Sequence, residues 1–219
     1  MKVSTDGILL GAWAQVPLEG PILDIGTGTG LIALMLAQRT RGQVPVTALE
    51  LDEEAAVQAA ENVTASPWPD VVNVIQADVR TWRQEQKFGQ ILSNPPYFSD
   101  SLKATGEARN LARHNDTLGF AELMQAVDTL AAPGAGFHCI IPVASTDKLL
   151  AEAGKLEWWP ARRCEVQSRP EKDVSRVLLS LERGEQDCDF SSLCLHSASG
   201  EYSEDFVTLT KAFYLKMPD

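Results

Sequence analysis

The chain has 219 residues, of which 44% are hydrophobic and 22% charged; these values are ordinary for a globular protein with a full hydrophobic core. No segment approaches the roughly 18 consecutive apolar residues of a membrane span, and the first residues lack the apolar core of a signal peptide. Thirty acidic and 19 basic residues give a net charge of -11, which argues against non-specific nucleic-acid binding because that depends on neutralised phosphates.

The four cysteines do not form a metal-binding pattern. Cys139, Cys164, Cys188 and Cys194 include no CxxC pair, and none of the three histidines lies near them at ligand spacing. A zinc site or other metal centre is therefore not expected. Scattered cysteines in a chain of this length are typical of reduced thiols, which predicts a cytoplasmic protein.

Strand-like and helix-like segments alternate along most of the chain. In chain order we predict a strand at 22–26, a helix at 30–39, a strand at 46–51, a helix at 53–63, strands at 71–76 and 87–93, a helix at 120–130, a strand at 137–141, a helix at 146–154, and strands at 163–168 and 174–183. Asp52 is the expected N-cap of the second helix.

This alternation predicts an α/β fold with a Rossmann-like, mostly parallel sheet of seven strands and helices on both faces. The last two strands have a connection too short for a helix, so we expect one antiparallel strand near the C-terminus. Residues 206–215 predict a helix or strand that seals the core. No repeat or linker interrupts the chain, so we expect one domain spanning residues 1–219.

A glycine-rich loop follows the first strand, with the sequence Asp24-Ile25-Gly26-Thr27-Gly28-Thr29-Gly30. Glycines permit positive φ and let backbone amides approach a ligand. The dinucleotide fingerprint GxGxxG would need glycine at position 31, where this chain has Leu31. The GxGxG spacing therefore weakens a nicotinamide interpretation and leaves an adenosine-type ligand or a tight turn without ligand.

Acidic side chains follow the next two strands. Glu50 ends the second strand about twenty residues after the glycine loop, where a carboxylate can accept hydrogen bonds from both ribose hydroxyls. Asp78, just after the third strand, offers an acceptor to the exocyclic amine of an adenine. Each of these residues alone could be a solvated strand end, but three matched strand ends together indicate an adenosine-type ligand.

The fourth strand ends in Asn94-Pro95-Pro96-Tyr97. Two prolines fix φ and remove two amide donors, so the Asn94 side-chain oxygen and nearby carbonyls can accept hydrogen bonds from an NH2 group. Tyr97 offers a flat face for a planar substrate. Such acceptors favour a pyramidal nitrogen that is free to attack an activated methyl group. The sequence therefore predicts methyl transfer to an amide-like or aryl-amino nitrogen.

These segments resemble class I methyltransferases with an Asn-Pro-Pro-Tyr motif. Within that group the chain is similar to the bacterial adenine-N6 methyltransferases that modify the purine beside the anticodon of a valine tRNA. The resemblance is carried by the glycine loop and by five further segments: residues 1–13, 48–52, 76–80, 94–98 and 112–114. Members usually carry a basic and aromatic stretch before the Met-Lys-Val segment, so a short N-terminal extension is expected to be missing from this sequence.

The resemblance implies a class I methyltransferase fold, S-adenosylmethionine as cofactor, and tRNA, at the anticodon loop of a valine tRNA, as partner. It implies a monomer that needs neither metal nor membrane. The reactive corner would be formed by Asn94, Pro95, Pro96 and Tyr97. The cofactor would be held by Thr5, Asp6, Asp24, Gly26, Thr27, Gly28, Gly30, Glu50, Leu51, Asp78, Val79 and Asn94, with Thr5 and Asp6 over its methionine end and Asp78 and Val79 at its adenine.

RNA contacts are expected in the polar stretch 98–118, which is long for a plain connection. The candidates there are Lys103, Arg109, Arg113 and His114. A second basic group contains Lys155, Arg162, Arg163, Arg169, Lys172 and Arg176. Solvated surface is the competing interpretation for both groups, and a structural hydrogen bond is the competing one for His114.

Three alternatives remain open at this point. The same motif would suit methylation of a glutamine nitrogen in a protein, although the separate helical N-terminal domain usual in those enzymes is absent from the sequence. Guanine-N2 methylation of ribosomal RNA uses similar motifs. A third possibility from another class is a nucleotide-cofactor-binding protein without methyl transfer, or a nicotinamide oxidoreductase.

Overall fold

The computed structural model describes residues 4–16, 20–95 and 118–214. Within these ranges the strands are β1 Ile22–Ile25, β2 Val46–Glu50, β3 Val72–Gln76, β4 Phe88–Ser93, β5 Ala131–Pro142, β6 Trp158–Gln167, β7 Val174–Arg183 and β8 Asp189–Cys194. The α-helices are α1 Thr5–Trp13, α2 Leu31–Arg39, α3 Glu53–Thr64, α4 Phe120–Leu130, α5 Thr146–Gly154 and α6 Glu204–Thr210. Short 3-10 helices cover Val143–Ser145 and Lys211–Phe213.

The strands of these ranges form one sheet with the order β3-β2-β1-β4-β5-β7-β6-β8. Strand β7 is antiparallel to both neighbours, and the other described pairs are parallel. The mostly parallel sheet with one antiparallel strand near the C-terminus is confirmed. Strand order reverses between β1 and β4, and open α/β sheets bind ligands beyond the carboxyl ends of strands at such a point.

The predicted count of seven strands is wrong, because the described sheet has eight. The additional strand, β8, pairs in parallel with β6 at the sheet edge. Its first four residues, Asp189–Ser192, are all exposed. The sequence of β8 therefore lacks the alternating or continuous apolar pattern from which a strand is predicted.

Two strands begin earlier than predicted. Strand β5 starts at Ala131 rather than at residue 137, because the pairing of β4 and β5 shifts register between Phe88 and Gln90 and so accommodates the Pro-Gly turn. Strand β6 starts at Trp158, which is completely buried and donates from Nε1 to Asp128 at 3.0 Å. Trp158 is therefore part of the hydrophobic core.

Most other boundaries agree with the sequence patterns. Asp52 caps α3 by accepting a hydrogen bond from the amide of Ala55 at 2.8 Å, as predicted. Helix α1, which no predicted element covered, is apolar on nearly all sides and buries residues 7–11. The stretch 206–215, for which helix and strand were both open, is helical from Glu204 to Thr210.

The hydrophobic core is split by the sheet into two layers, so helices cover both faces as predicted. Neighbouring residues of β4 separate onto the two layers: Ile91 packs with α4 and α5, and Leu92 packs with α1, α2 and α6. Burying a side chain of this size contributes about 1.5–3 kcal/mol. Both layers pack against the sheet and hold its strands in place.

Three features bear on the composition-based expectations. All four cysteines are free thiols, and Cys139 and Cys164 are buried, which agrees with reduced thiols acting as small hydrophobic side chains. Across the described ranges, no helix is both long and apolar enough to cross a membrane. Those ranges also hold no group of three or more His, Cys, Asp or Glu side chains arranged to bind a metal ion.

Candidate active site

The carboxyl ends of β1, β2, β3 and β4 surround a cavity of about 670 Å³, a volume typical of small-molecule sites. Its walls include one or more residues from each strand end predicted to bind a ligand: Gly26, Glu50, Leu51, Asp78, Val79, Ser93 and Pro95. Leu118, which precedes α4, closes one side. The separate sequence signals therefore converge on one space in the described structure.

The reactive corner and the glycine loop are held together at the junction of β1 and β4. Ile25 and Ser93 are paired in register, and the Ser93 hydroxyl donates a hydrogen bond of 3.0 Å to the Ile25 carbonyl oxygen. Gly26, which follows Ile25 directly, and Pro95, two residues after Ser93, both line the cavity. The turn after β1 and the turn after β4 thus open onto the same space.

The glycine loop depends on left-handed backbone conformations. Gly26, Gly28 and Gly30 have φ values of 71°, 58° and 84°, which L side chains rarely adopt. At Gly30 a side chain would also meet Ala59 of α3 at 3.5 Å. Gly26 lines the cavity, whereas Gly28 and Gly30 shape the loop that leads into α2.

The Glu50 carboxylate accepts hydrogen bonds from the glycine loop and from the segment that leads into α3. Its Oε2 accepts from the Gly28 amide at 2.8 Å, and its Oε1 accepts from the amides of Leu51 and Asp52 at 2.9 and 3.0 Å. A carboxylate has about four acceptor positions, so about one position on Oε2 remains for a ligand. Glu50 therefore ties the loop to the start of α3 in addition to facing the cavity.

Asp24 lies beneath the glycine loop rather than in the cavity wall. It is completely buried, and its Oδ2 accepts a hydrogen bond of 2.6 Å from the Thr27 hydroxyl. Burial raises the pKa of Asp24 to about 7, against the opposing effect of the Thr27 hydrogen bond. Asp24 and Thr27 thus act on the cavity through the shape of the loop.

Arg80 is a site residue that the sequence analysis did not single out. Its Nε and Nη2 donate to both oxygens of Asp78 at 2.6–2.9 Å, and its backbone amide donates to Oδ1 at 2.9 Å. These hydrogen bonds lower the pKa of Asp78. Since Arg80 occupies most acceptor positions of this carboxylate, an adenine amine would share Asp78 with it. The Asp-x-Arg spacing was the available sequence signal.

Helix α1 brings the N-terminal segment to the reactive corner. A side chain at Gly7 would lie 4.0 Å from Nδ2 of Asn94 and 3.3 Å from Leu31, so the helix backbone approaches both turns closely. Asp6 forms an ion pair with Arg176 of β7 at 3.0 Å. Thr5 and Asp6 do not line the cavity, although their helix contacts the turn that does.

Several predicted site residues lie outside the described residues. These are Pro96 and Tyr97 of the reactive corner and the RNA candidates Lys103, Arg109, Arg113 and His114. Asn94 and Pro95, the first two residues of that corner, are described. Pro95 lines the cavity, and Asn94 lies in the chain between two lining residues, Ser93 and Pro95.

The residues present fit an adenosine-type cofactor. Glu50 offers an acceptor near the glycine loop, Asp78 offers a carboxylate at the next strand end, and Leu51 and Val79 supply apolar wall between them. Leu51 is 44% exposed and lines the cavity, so its apolar surface is available to a ligand there. The two carboxylate acceptors, the apolar wall and the volume of the cavity suit a nucleoside with a short polar extension.

Comparison with known proteins identifies the family. The family model described as "Methyltransferase small domain" matches residues 6–116. The tRNA1(Val) (adenine(37)-N6)-methyltransferase of Pseudoalteromonas translucida is 45% identical over 217 residues, covering 99% of this chain and 93% of that protein. The chain belongs to this methyltransferase family. S-adenosylmethionine is accordingly the cofactor of this methyltransferase.

Solved structures confirm the class I methyltransferase fold of this methyltransferase. A predicted O-methyltransferase from Agrobacterium tumefaciens is similar with a TM-score of 0.75, 19% identity and coverage of 98% of this chain and 100% of that one. The glycopeptide N-methyltransferase MtfA in complex with S-adenosylhomocysteine is similar with a TM-score of 0.60 and 16% identity, covering 82% of this chain and 90% of that one.

Proposed function

We propose that this methyltransferase transfers a methyl group to N6 of adenine 37, in the anticodon loop of a valine tRNA. The observation that carries the proposal is the 45% identity, over 99% of the chain, with a relative of that name. Its physical support is the single cavity shared by Gly26, Glu50, Asp78 and Pro95.

The cofactor residues are proposed from their places around this cavity. Glu50 accepts a hydrogen bond from one ribose hydroxyl at the remaining acceptor position of its Oε2. Leu51 and Val79 pack on the adenine ring. Asp78 accepts a hydrogen bond from the adenine amine. Gly26 lets the backbone approach the cofactor. Asp24, Thr27, Gly28 and Gly30 hold the loop, and Thr5 and Asp6 hold α1 over the methionine end.

The reactive corner orients the target amine. S-adenosylmethionine supplies a methyl group that is already activated by its sulfonium. The side-chain oxygen of Asn94 and the carbonyl oxygen of Pro95 each accept a hydrogen bond from one N–H of the adenine amine. These two hydrogen bonds direct the nitrogen lone pair toward the methyl group. Tyr97 stacks on the adenine ring. In-line positioning of the two reacting atoms contributes most of the remaining rate enhancement.

Adenine 37 must leave its stack to enter the cavity, and the cost of a few kcal/mol is smallest in a loop. In the proposal, Lys103, Arg109, Arg113 and His114 contact the RNA near the cavity. The protein acts as a monomer in the cytoplasm, where its tRNA substrate is found, and without a metal ion.

Methyl incorporation with nucleoside analysis tests the proposal. The protein is incubated with isotope-labelled S-adenosylmethionine and a valine tRNA transcript, and the digested nucleosides are identified by mass spectrometry. We expect N6-methyladenosine, and none in a transcript with guanosine at position 37. Label in N2-methylguanosine, or only in added protein fractions, would establish one of the alternative substrates instead.

A further inference from the structure

A second cavity opens at the other end of the parallel strands. It has a volume of about 820 Å³, and its walls include Trp13, Arg39, Gln90 and Arg162. Gln90 pairs in register with Ile22, the first residue of β1, whereas Ile25, the last residue of β1, lines the candidate active site. The two cavities therefore lie at opposite ends of the same strand.

Two guanidinium groups line this cavity, and none of the residues in its wall is acidic. Arg39, the last residue of α2, donates from Nη1 to the carbonyl oxygen of Gly11 at 2.7 Å. Arg162 of β6 lies over the Trp13 ring, 4.3 Å from its centre. Neither arginine forms an ion pair with any residue that the structure describes. The cavity thus holds two positive charges without a compensating carboxylate among these residues.

A buried amide adds a third donor. Gln90 is 9% exposed, and its Oε1 lies 2.5 Å from Nε2 of the completely buried His138. Burial, together with the charges of Arg162 and Arg39, lowers the pKa of His138 to about 3. The neutral imidazole therefore donates from Nε2 to the amide oxygen. This contact fixes the Gln90 amide in the cavity wall, and its Nε2 has no hydrogen-bond partner in the described part of the chain, so that this donor is available to a ligand.

We propose that Arg39, Arg162 and Gln90 form a binding site for a phosphate group. Guanidinium groups present planar sets of N–H donors that match phosphate oxygens, and charge-assisted hydrogen bonds of this kind are the strong ones. The Gln90 amide supplies a neutral donor in the same cavity wall, and the Trp13 ring packs against the Arg162 guanidinium. A protein with net charge -11 repels anions over most of its surface, so these cations provide local attraction.

Two sources can supply this phosphate: the backbone of an RNA substrate, or a free phosphorylated small molecule. Both present the same tetrahedral oxygens to the same donors. The site stands apart from the methyl-transfer cavity, and its existence does not depend on the proposed function.

Titration with inorganic phosphate, followed by 31P NMR, tests the site directly. The variant is Arg162→Gln, and the matched control is Arg41→Gln, which removes an exposed cation that is not in the cavity wall. We expect about tenfold weaker phosphate binding in Arg162→Gln, equivalent to one lost charge-assisted hydrogen bond, and no change in Arg41→Gln. Arg39→Gln should give the same loss, with the melting temperature reporting any loosening of α1.

Binding of the valine tRNA at several salt concentrations distinguishes the two sources. With an RNA phosphate in the site, Arg162→Gln weakens tRNA binding and lowers the slope of log affinity against log salt by about one. With a free phosphate compound, Arg162→Gln leaves tRNA binding unchanged while phosphate binding is weakened by the same factor of about ten. The proposal would be overturned if Arg162→Gln had the same phosphate affinity and the same tRNA salt slope as the unmodified protein.

Discussion

The hydroxyl of Ser93 donates a hydrogen bond of 3.0 Å to the carbonyl oxygen of Ile25. Ser93 is the last residue of β4 and Ile25 the last residue of β1, and both are buried. The bond therefore joins the two strand ends from which the glycine loop and the Asn-Pro-Pro-Tyr turn depart. It fixes the relative position of the turn after β1 and the turn after β4 at their common base.

Replacing Ser93 by alanine should weaken this junction. Loss of the hydroxyl leaves the buried Ile25 carbonyl oxygen without this donor, and we expect a decrease of about 1–3 kcal/mol in the free energy of unfolding. Urea denaturation measures it. Ser180→Ala is the matched control. The Ser180 hydroxyl is buried and has no hydrogen-bond partner among the described residues, so its removal should be neutral or stabilising. Equal effects of the two substitutions would show that the Ser93 bond contributes nothing specific.

Glu50→Ala should weaken cofactor binding by at least about tenfold, since it removes a charged acceptor from the ligand and from three backbone amides. Calorimetric titration with S-adenosylmethionine gives the affinity. Glu53→Ala is the control. Glu53 also lines the cavity and carries the same charge, but it lies in the first turn of α3 and is not assigned a ribose contact. Cofactor affinity unchanged in Glu50→Ala would refute the assigned ribose contact.

Arg80→Gln should free the Asp78 carboxylate and raise its pKa, because the Arg80 hydrogen bonds are the largest cause of its lowering. An ionised Asp78 is the better acceptor for the adenine amine. As the pH falls, Asp78 becomes protonated earlier in the variant. The variant should therefore lose cofactor binding at a higher pH than the unmodified protein does. Affinity measured from pH 4 to pH 8 checks this. Arg83→Gln is the control, because within the described ranges Arg83 donates to the backbone carbonyls of Arg80 and Trp82 and not to Asp78. Coincident pH profiles would contradict the role given to Arg80.

Asp24→Asn should change how stability depends on pH. The pKa of Asp24 rises on folding from 3.8 to about 7, so the folded protein retains a proton that the unfolded chain releases. The contribution is fully present below pH 3.8, decreases as the pH rises, and is lost above about pH 7. A shift of about three units corresponds to roughly 4 kcal/mol.

The isosteric amide carries no charge, so Asp24→Asn should be more stable than the unmodified protein at pH 8 and about equal to it near pH 4. Urea unfolding at the two pH values measures the difference. The exposed Asp70→Asn serves as control. A stability difference that does not vary with pH would show that Asp24 is ionised in the folded protein.

Much of the fold follows from local patterns. Helix α4 at Phe120–Leu130 and strand β7 at Val174–Arg183 have the predicted boundaries because their apolar spacing matches the period of each element. Strand β8 escapes prediction because four of its six residues are exposed and its pairing with β6 is a tertiary event. Helix α1 was not predicted, because its buried residues 7–11 form a continuous apolar run that includes two glycines and shows no helical period.

The site divides in the same way. Gly26, Glu50 and Asp78 were predictable because strand ends of a parallel sheet meet at one edge. The hydrogen bonds from three backbone amides to Glu50, and those from Arg80 to Asp78, could not be predicted from the sequence. They depend on the side-chain conformations of the folded loop. The burial of Asp24 beneath the loop likewise depends on the packing around β1.

The kinetics of Asn94→Ala test the central claim most directly, namely that the turn after β4 orients the target amine while the turn after β1 holds the cofactor. With saturating tRNA, we expect kcat to fall by about 100-fold or more, while the affinity for S-adenosylmethionine changes by less than about twofold. Asn73→Ala, at an exposed position of β3, should leave both unchanged. Turnover that persists in Asn94→Ala, or a loss explained entirely by weaker cofactor binding, would contradict the account.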